Sequence, residues 1–286
     1  MTTIDFTFAT LGGDQQATLY NSPQKDAPIV LIAPALGIRE GYYRKLCQGL
    51  AAQGLGAAAI DLPGQGVSPI RASRQKDWGY DVLLEHYKAA CQALAALRPQ
   101  APLFLLGHSI GGQAALLLGG QDLPQLQGVI LVASGAPYWR AWDGFDSFRI
   151  RFNTALCGVI AQVVGYFPGN KVGFGGREAK TLIQQWAQCA STGKYDFTDF
   201  PGEDMLTEPG PPVYAICLDG DTLAPEKAMR HVLDKMDARQ KHFEIWETPP
   251  HGGNHNRWPS EPQYVIERVG SFIEETLTHT QRGAIA

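Results

Sequence analysis

The residue best suited to nucleophilic chemistry is Ser109, which forms the pattern G-x-S-x-G with Gly107 and Gly111. An apolar run over residues 103–106 precedes this pattern, and a helix-forming run over residues 113–118 follows it. A serine on such a strand–turn–helix is exposed at the carboxyl end of the strand, and the flanking glycines avoid clashes within the tight turn. The pattern therefore predicts that Ser109 attacks an ester-like or amide-like carbonyl carbon.

A serine hydroxyl needs a general base, and the base needs an acid that orients it. In chains with this serine motif, the acid and then the histidine follow the serine in sequence. The apolar run over residues 213–218 is followed by Asp219 and Asp221. We favour Asp221 because it lies farther into the loop and begins the pattern D-x-apolar-x-P, which commonly opens the next helix. Asp219, nearer the strand end, is the alternative.

The general base is expected in the loop after the last apolar run, where His251 and His255 both occur. His255 is preferred because it leaves a longer reach back toward the carboxyl edge of the sheet, and His251 is the alternative. His108 directly precedes Ser109, but a side chain at that position of the turn is expected to point away from the base.

The negative charge that develops on the carbonyl oxygen needs two preorganised donors. One is predicted to be the backbone N–H of Ile110, directly after the nucleophile. The other is expected in the loop that follows residues 29–32. Pro34 has no N–H and is excluded, so Ala35 is the first candidate and Leu36 the second.

Strand-like and helix-like segments alternate along most of the chain. This alternation predicts a mostly parallel sheet with helices on both faces, preceded by an antiparallel pair of strands over residues 4–8 and 17–20. The other predicted strands cover residues 29–32, 57–60, 103–106, 128–132, 213–218 and 242–246, and the main predicted helices cover residues 42–53, 76–97, 113–118, 226–236 and 264–277.

The alternation stops between residues 137 and 209, where aromatic and turn residues cluster. We therefore expect a core domain made of residues 1–136 and 210–286, and a helical insertion over residues 137–209 that covers the site as a lid. One helix is predicted to end near Pro168, and another covers residues 178–190. Six aromatic residues suggest either an apolar substrate pocket or the insertion's own core: Trp139, Trp142, Phe145, Tyr166, Phe167 and Trp186.

Composition narrows the classes of function. The net charge of −4 gives no reason to expect a nucleic-acid partner. The longest apolar stretch, residues 155–167, is too short to span a membrane, which takes about 20 residues. The five cysteines are scattered without C-x-x-C spacing, so they indicate neither a zinc site nor a disulfide framework. We expect the protein to use no metal and no cofactor. Since the first residues also lack the features of a signal peptide, we expect a cytoplasmic protein.

Over residues 27–278 the chain resembles the α/β-hydrolase superfamily, and more narrowly a group of bacterial predicted α/β-hydrolases. The narrower resemblance is carried by residues 33–37 with Tyr42 and Tyr43, and by residues 165–169 with Trp186. It implies a Ser–Asp–His triad, no metal and a helical lid. The chain departs from the wider superfamily at the loop that supplies the second donor, where Ala33 and Pro34 replace the usual His-Gly pair.

The sequence thus predicts a serine hydrolase that cleaves a carboxylic ester, or a related acyl derivative with an apolar portion, through an acyl-enzyme on Ser109. An amidase or peptidase with the same triad, and a non-catalytic ligand-binding homologue, are the alternatives. The expected partner is a small acyl substrate, and the sequence leaves open whether the chain forms a homodimer.

Overall fold

The computed structural model describes residues 2–121, 123, 125–236 and 240–285. Within these residues the strands are β1 (Thr2–Thr10), β2 (Gly13–Asn21), β3 (Ile29–Ala33), β4 (Gly56–Ala59), β5 (Leu103–His108), β6 (Leu126–Val132), β7 (Tyr166–Pro168), β8 (Arg177–Ala179), β9 (Asp196–Phe197), β10 (Phe200–Pro201), β11 (Val213–Leu218) and β12 (Lys241–Trp246). The α-helices in the same residues are α1 (Arg44–Ala52), α2 (Tyr80–Leu97), α3 (Ile110–Gly119), α4 (Gly144–Val164), α5 (Gly169–Val172), α6 (Lys180–Thr192), α7 (Gly202–Thr207), α8 (Glu226–Leu233) and α9 (Gln263–Ile285). Short 3-10 helices cover Glu40–Tyr43, Trp139–Ala141, Pro250–Gly253 and Trp258–Ser260.

The central sheet has eight strands in the order β1-β2-β4-β3-β5-β6-β11-β12. The pairs β1–β2 and β2–β4 are antiparallel, and every pair from β4 to β12 is parallel. Parallel strands end at a common carboxyl edge, where open α/β sheets place their ligand crevices. The prediction of a mostly parallel sheet led by an antiparallel pair is confirmed.

Alternate residues of β3 pack into two separate apolar clusters, one on each face of the sheet. Leu31 belongs to the cluster that includes residues of α2, α3 and α8. Ile32 belongs to the cluster that includes residues of α1 and α9. Because both faces are covered, β3 and β5 are buried along their whole length and read as continuous apolar runs rather than alternating ones.

The segment that joins β6 to β11, here called the β6–β11 segment (residues 133–212), contains α4 to α7. The predicted helix that ends near Pro168 is α4, which stops at Gly165, a residue in the left-handed conformation with φ of 89°. The predicted helix over residues 178–190 is α6, which begins at Lys180. The antiparallel pairs β7–β8 and β9–β10 were missed, since strands of two or three residues leave no detectable period.

One helix starts later than its pattern predicts. The segment over residues 76–79 is non-helical, and α2 begins at Tyr80 instead of Lys76. The carboxylate of Asp77 accepts hydrogen bonds from the backbone N–H of Thr181, at 2.8 Å, and from the hydroxyl of Thr181, at 2.7 Å. This contact with α6 is not encoded locally, so it could not be read from the helical period.

No helix in the described part of the chain is both long enough and apolar enough to cross a membrane.

Candidate active site

Ser109 lies on a sharp turn between β5 and α3, with φ of 56° and ψ of −123°. A Cβ atom on Gly107 would lie 2.2 Å from the Cα of Gly112, and one on Gly111 would lie 2.2 Å from the carbonyl oxygen of Ala33. Both glycines are therefore required by close backbone approach, as the motif predicts. The hydroxyl of Ser134 donates to the carbonyl of Ser109 at 2.6 Å, which supports the turn from the end of β6.

The structure brings Asp221 and His255 together. The Oδ2 atom of Asp221 lies 2.7 Å from Nδ1 of His255, and both residues are buried. The other carboxylate oxygen, Oδ1, accepts the backbone N–H groups of Leu223 at 2.8 Å and Ala224 at 3.1 Å. With Nδ1–H donating to the carboxylate, the neutral imidazole presents Nε2 as a proton acceptor.

The alternative residues, His251 and Asp219, do not join the Asp221–His255 pair. Nε2 of His251 is 3.1 Å from the hydroxyl of Ser260 and 3.3 Å from Oε1 of Glu261, outside the pocket that Ser109 lines. Asp219 is exposed, and its described hydrogen bond is from its backbone N–H to the carbonyl of Trp246. The geometry thus pairs Asp221 with His255, and neither Asp219 nor His251 lines the cavity that Ser109 lines.

Ser109 and His255 line one cavity of about 500 Å³. Its wall is mainly apolar and comes from the core and from the β6–β11 segment: Leu36, Ile110, Trp142, Ile150, Leu156, Ile160, Phe167, Val172, Phe174, Trp186 and Leu223. Of the six aromatics that suggested an apolar pocket, Trp142, Phe167 and Trp186 line this cavity. Phe145 does not, and its side chain is 76% exposed. Among the described residues, no Asp, Glu, Lys or Arg side chain lines the cavity.

The backbone N–H of Ala35 donates to the hydroxyl of Tyr43 at 3.0 Å. Since this hydroxyl is fully buried, the amide of Ala35 is directed into the protein. This bond speaks against Ala35 as the second donor to a carbonyl oxygen. Leu36, the second candidate, follows it in the same loop and lines the cavity.

His108 is fully buried behind the site and connects two of its loops. Its Nδ1 is 2.8 Å from the hydroxyl of Tyr43, and its Nε2 is 2.9 Å from the backbone carbonyl of His255. Because that carbonyl can only accept, Nε2 carries the proton and Nδ1 accepts the proton of Tyr43. Burial, reinforced by nearby His255, holds the pKa of His108 well below 6.5, so the ring is neutral.

Sequence reasoning missed this connection. Tyr43 contributes to the family resemblance, but its role depends on contacts with residues 8 and 65 positions away. His108 was expected to point away from the base, yet its ring centroid lies 5.1 Å from that of His255. The available signal for this connection was that Tyr43 and His108 are polar residues in a buried environment, because such residues need hydrogen-bond partners.

In the described residues, no group of three or more His, Cys, Asp or Glu side chains is arranged to hold a metal ion.

The parallel sheet, the strained serine turn and the Asp221–His255 pair define the chain as an α/β-hydrolase-fold protein of the serine type. The family described as serine aminopeptidase S33 matches residues 20–165, more than half of the chain. The chain therefore belongs to this family and is a hydrolase. No curated protein matches the sequence.

Solved structures share the fold over nearly the whole chain. A thermostable carboxyl esterase from Bacillus coagulans aligns with a TM-score of 0.67 and 17% identity, covering 96% of this chain and 99% of its own. A soluble variant of monoglyceride lipase from Saccharomyces cerevisiae gives 0.67 and 14%, covering 91% and 92%. The thioesterase domain from the curacin biosynthetic pathway gives 0.59 and 16%, covering 95% and 100%. At these identities the likeness establishes the fold.

Proposed function

We propose that this protein hydrolyses carboxylic esters that carry an apolar portion, through an acyl-enzyme on Ser109. The observation that carries the proposal is the 2.7 Å contact of Asp221 with Nδ1 of His255, at the wall of the cavity that Ser109 also lines. In this assignment Ser109 is the nucleophile, His255 the general base and Asp221 the acid that orients it.

Each step follows from these roles. Nε2 of His255 takes the proton from Oγ of Ser109 as Oγ bonds to the carbonyl carbon, and the ester C–O bond then breaks as the imidazolium returns the proton to the leaving alcohol. Water, deprotonated by the same histidine, attacks the acyl-enzyme and releases the carboxylic acid and free Ser109. The buried carboxylate of Asp221 stabilises the imidazolium in both halves and keeps its proton on Nδ1.

For the oxyanion we propose the backbone N–H groups of Ile110 and Leu36. Ile110 begins α3, so its N–H is among the free amides of a helix N-terminus, which favour negative charge. Leu36 replaces Ala35 as the second donor because the amide of Ala35 binds Tyr43. Loss of one such donor typically costs on the order of 3 kcal/mol of transition-state stabilisation.

The cavity favours a neutral, apolar substrate over a peptide with a free amino terminus. An aminopeptidase must offset the charge of the α-ammonium group, and among the described residues no carboxylate lines the cavity. The esterase and lipase structures that share the fold are consistent with an ester substrate. An aminopeptidase, which the family description names, is the second candidate.

We propose that α4 and the loop around α5 act as the lid. Ile150, Leu156 and Ile160 of α4 and Val172, the last residue of α5, contribute to the cavity wall. The indole N–H of Trp142 donates to the carbonyl of Thr222 at 2.8 Å, linking the start of this lid to the loop that holds Asp221. Residues 137–209 would then be the lid insertion and the remainder the core.

The test uses p-nitrophenyl esters of increasing acyl length, aminoacyl p-nitroanilides and a fluorophosphonate probe. We expect ester turnover and labelling by the wild type, and neither by Ser109→Ala. Faster turnover of the anilides would favour the aminopeptidase. A folded wild type that neither turns over substrate nor becomes labelled would contradict hydrolysis and favour the ligand-binding homologue.

We further propose that the protein works in a reducing compartment such as the cytoplasm. All five cysteines are free thiols, and four of them are buried. Titration with a thiol reagent should give five reactive thiols in the unfolded protein and fewer in the native protein. If the unfolded, unreduced protein isolated from cells had fewer than five reactive thiols, this assignment would be contradicted.

A further inference from the structure

The longest exposed apolar feature in the described part of the molecule runs along α4. Six large apolar side chains occur at intervals of three or four residues, so they fall on one side of the helix. Each is between 44% and 76% exposed: Phe145, Phe148, Phe152, Leu156, Val159 and Val163. We call them the α4 ridge. At 1.5 Å per residue the ridge is about 27 Å long.

This exposure is not explained by the packing of α4. The helix contacts α6, and its buried residues are Thr154 and Ala161, which lie on the opposite side from the ridge. A helix that only roofed the cavity would need apolar residues on its inner side alone. Contiguous exposed apolar surface of this kind marks a site of interaction.

The ridge is continuous with the mouth of the cavity. Leu156 belongs to the ridge and also lines the cavity. Val172 and Leu223 line the cavity too, and they are 55% and 42% exposed. An apolar molecule could therefore move between the ridge and the cavity while keeping contact with apolar side chains.

The charge around the ridge differs from that of the whole chain. Residues 139–175 contain the basic residues Arg140, Arg149, Arg151 and Lys171 and the acidic residues Asp143 and Asp146, whereas the chain carries a net charge of −4. Asp143 and Asp146 are each paired with a basic side chain, Lys227 and Arg149. Helical spacing of 100° per residue places Arg149 on one side of the ridge and Arg151 on the other. From Asn153 to the end of α4 there is no charged residue.

We propose that the α4 ridge docks onto the surface of an anionic lipid membrane. A helix with an apolar side flanked by arginines lies in the plane of such an interface, with the apolar residues inserted and the guanidinium groups at the headgroups. Docking would bring the mouth of the cavity to the lipid, so that an apolar substrate need not cross water. A second copy of the chain is disfavoured as the partner because pairing two such ridges would bring like-charged arginines together.

The first experiment measures co-sedimentation with vesicles of phosphatidylcholine alone or mixed with phosphatidylglycerol. It uses Ser109→Ala as well as the wild type, since docking does not require hydrolysis. We expect stronger binding to the mixed vesicles. The double variant Phe148→Ser/Phe152→Ser should lower the partition coefficient by about tenfold or more. Val67→Ser, which removes a 60% exposed apolar side chain that is not part of the α4 ridge, is the matched control and should bind as the wild type does.

The second experiment isolates the charge. Arg149→Gln and Arg151→Gln should each weaken binding to the mixed vesicles by about fivefold and leave binding to pure phosphatidylcholine nearly unchanged.

Neither Phe148 nor Phe152 lines the cavity, so the double variant Phe148→Ser/Phe152→Ser should keep wild-type turnover of a short, water-soluble ester and the wild-type thermal midpoint.

Three results would overturn the proposal. They are a wild type that binds neither vesicle, phenylalanine variants that bind as well as the wild type, and a wild-type dimer that these variants convert to a monomer without any vesicle binding. The last result would assign the ridge to a second copy. Because vesicle binding is measured with the inactive Ser109→Ala protein, failure of docking is distinguishable from failure of the proposed hydrolysis.

Discussion

Asp219 and Asp221 stand two residues apart in one loop, yet the backbone gives them different environments. The carboxylate of Asp221 is held by the amides of Leu223 and Ala224 and faces His255, whereas Asp219 is exposed to solvent. A buried carboxylate fixed in this way can orient an imidazole and stabilise its charged form, which an exposed one cannot do.

We therefore expect Asp221→Asn to lower kcat on the order of 10⁴-fold, because an amide can donate to Nδ1 of His255 and force the wrong tautomer. Asp219→Asn, the matched control, should keep kcat within about twofold of the wild type. Steady-state ester hydrolysis measures both. Equal activities of the two variants would show that Asp221 has no role in orienting the base.

Tyr43 connects the loop of Ala35 to the loop of His255 through hydrogen bonds. Its hydroxyl accepts from Ala35 and donates to His108, which in turn donates to the carbonyl of His255. Tyr43→Phe leaves a buried N–H and a buried imidazole nitrogen without partners, which destabilises the fold by on the order of 3 kcal/mol.

The same variant should lower kcat by about tenfold with little change in KM, because both the donor loop and the base loop lose their common anchor. Urea denaturation and ester kinetics are the measurements, and Tyr42→Phe, on the exposed neighbouring tyrosine, is the control. A loss of stability with unchanged kcat would assign Tyr43 to structure alone.

At the residue scale, the sequence was sufficient to predict geometry that depends on neighbouring residues in the chain. The strained turn at Ser109 needs glycines at fixed offsets, so its pattern is visible in a short window. The choice of Asp221 and His255 over their neighbours came from chain order and reach, and these two are the residues that the fold brings together. The structure disfavours Ala35 as the second donor, because the direction of its amide depends on Tyr43, eight residues away.

At the scale of elements, Glu178 fixes the loop around α5 that forms part of the cavity wall. It lies in β8, just before α6, and is buried. Its carboxylate accepts from the backbone N–H of Gly176 at 2.6 Å and from the amide of Gln65 at 2.9 Å. Burial raises the pKa of Glu178 to about 7, despite both hydrogen bonds.

A carboxyl whose pKa is higher in the folded protein binds more protons folded than unfolded. The contribution of Glu178 to the free energy of unfolding is therefore full below its ordinary pKa of 4.5 and decreases as the pH rises toward about 7. The Glu178→Gln variant lacks this titration, so it should be more stable than the wild type at pH 8 by on the order of 3 kcal/mol and similar at pH 4. Urea midpoints across this range give the comparison, and pH profiles that run parallel would contradict it.

The elements themselves were predictable in proportion to their length. The buried runs of β3, β5 and β11 and the long helices α2 and α9 carry enough residues to show their pattern. The pairs β7–β8 and β9–β10 and the delayed start of α2 depend on contacts between distant segments, such as that of Asp77 with Thr181. Sequence periodicity contains no information about such contacts.

At the scale of the whole molecule, the two halves of the β6–β11 segment differ in how they join the core. Residues after α4, including Cys189, Tyr195, Phe197 and Phe200, belong to the main apolar cluster of the sheet domain. The ring centroid of Tyr80, in α2, lies 5.4 Å from that of Phe197 and 6.3 Å from that of Phe200. The buried residue Ala161 of α4, by contrast, belongs to a small separate cluster.

This division predicts that the second half of the segment unfolds together with the sheet. Phe200→Ala should lower the free energy of unfolding of the whole protein by about 3 to 5 kcal/mol, since it opens a cavity in the shared cluster. Phe152→Ala, on the exposed side of α4, should change it by less than about 0.5 kcal/mol. Urea unfolding followed by tryptophan fluorescence and by far-UV circular dichroism should show one coincident transition for each variant. If Phe200→Ala instead showed an early transition while the helical signal of the sheet domain stayed intact, residues 137–209 would fold as an independent unit.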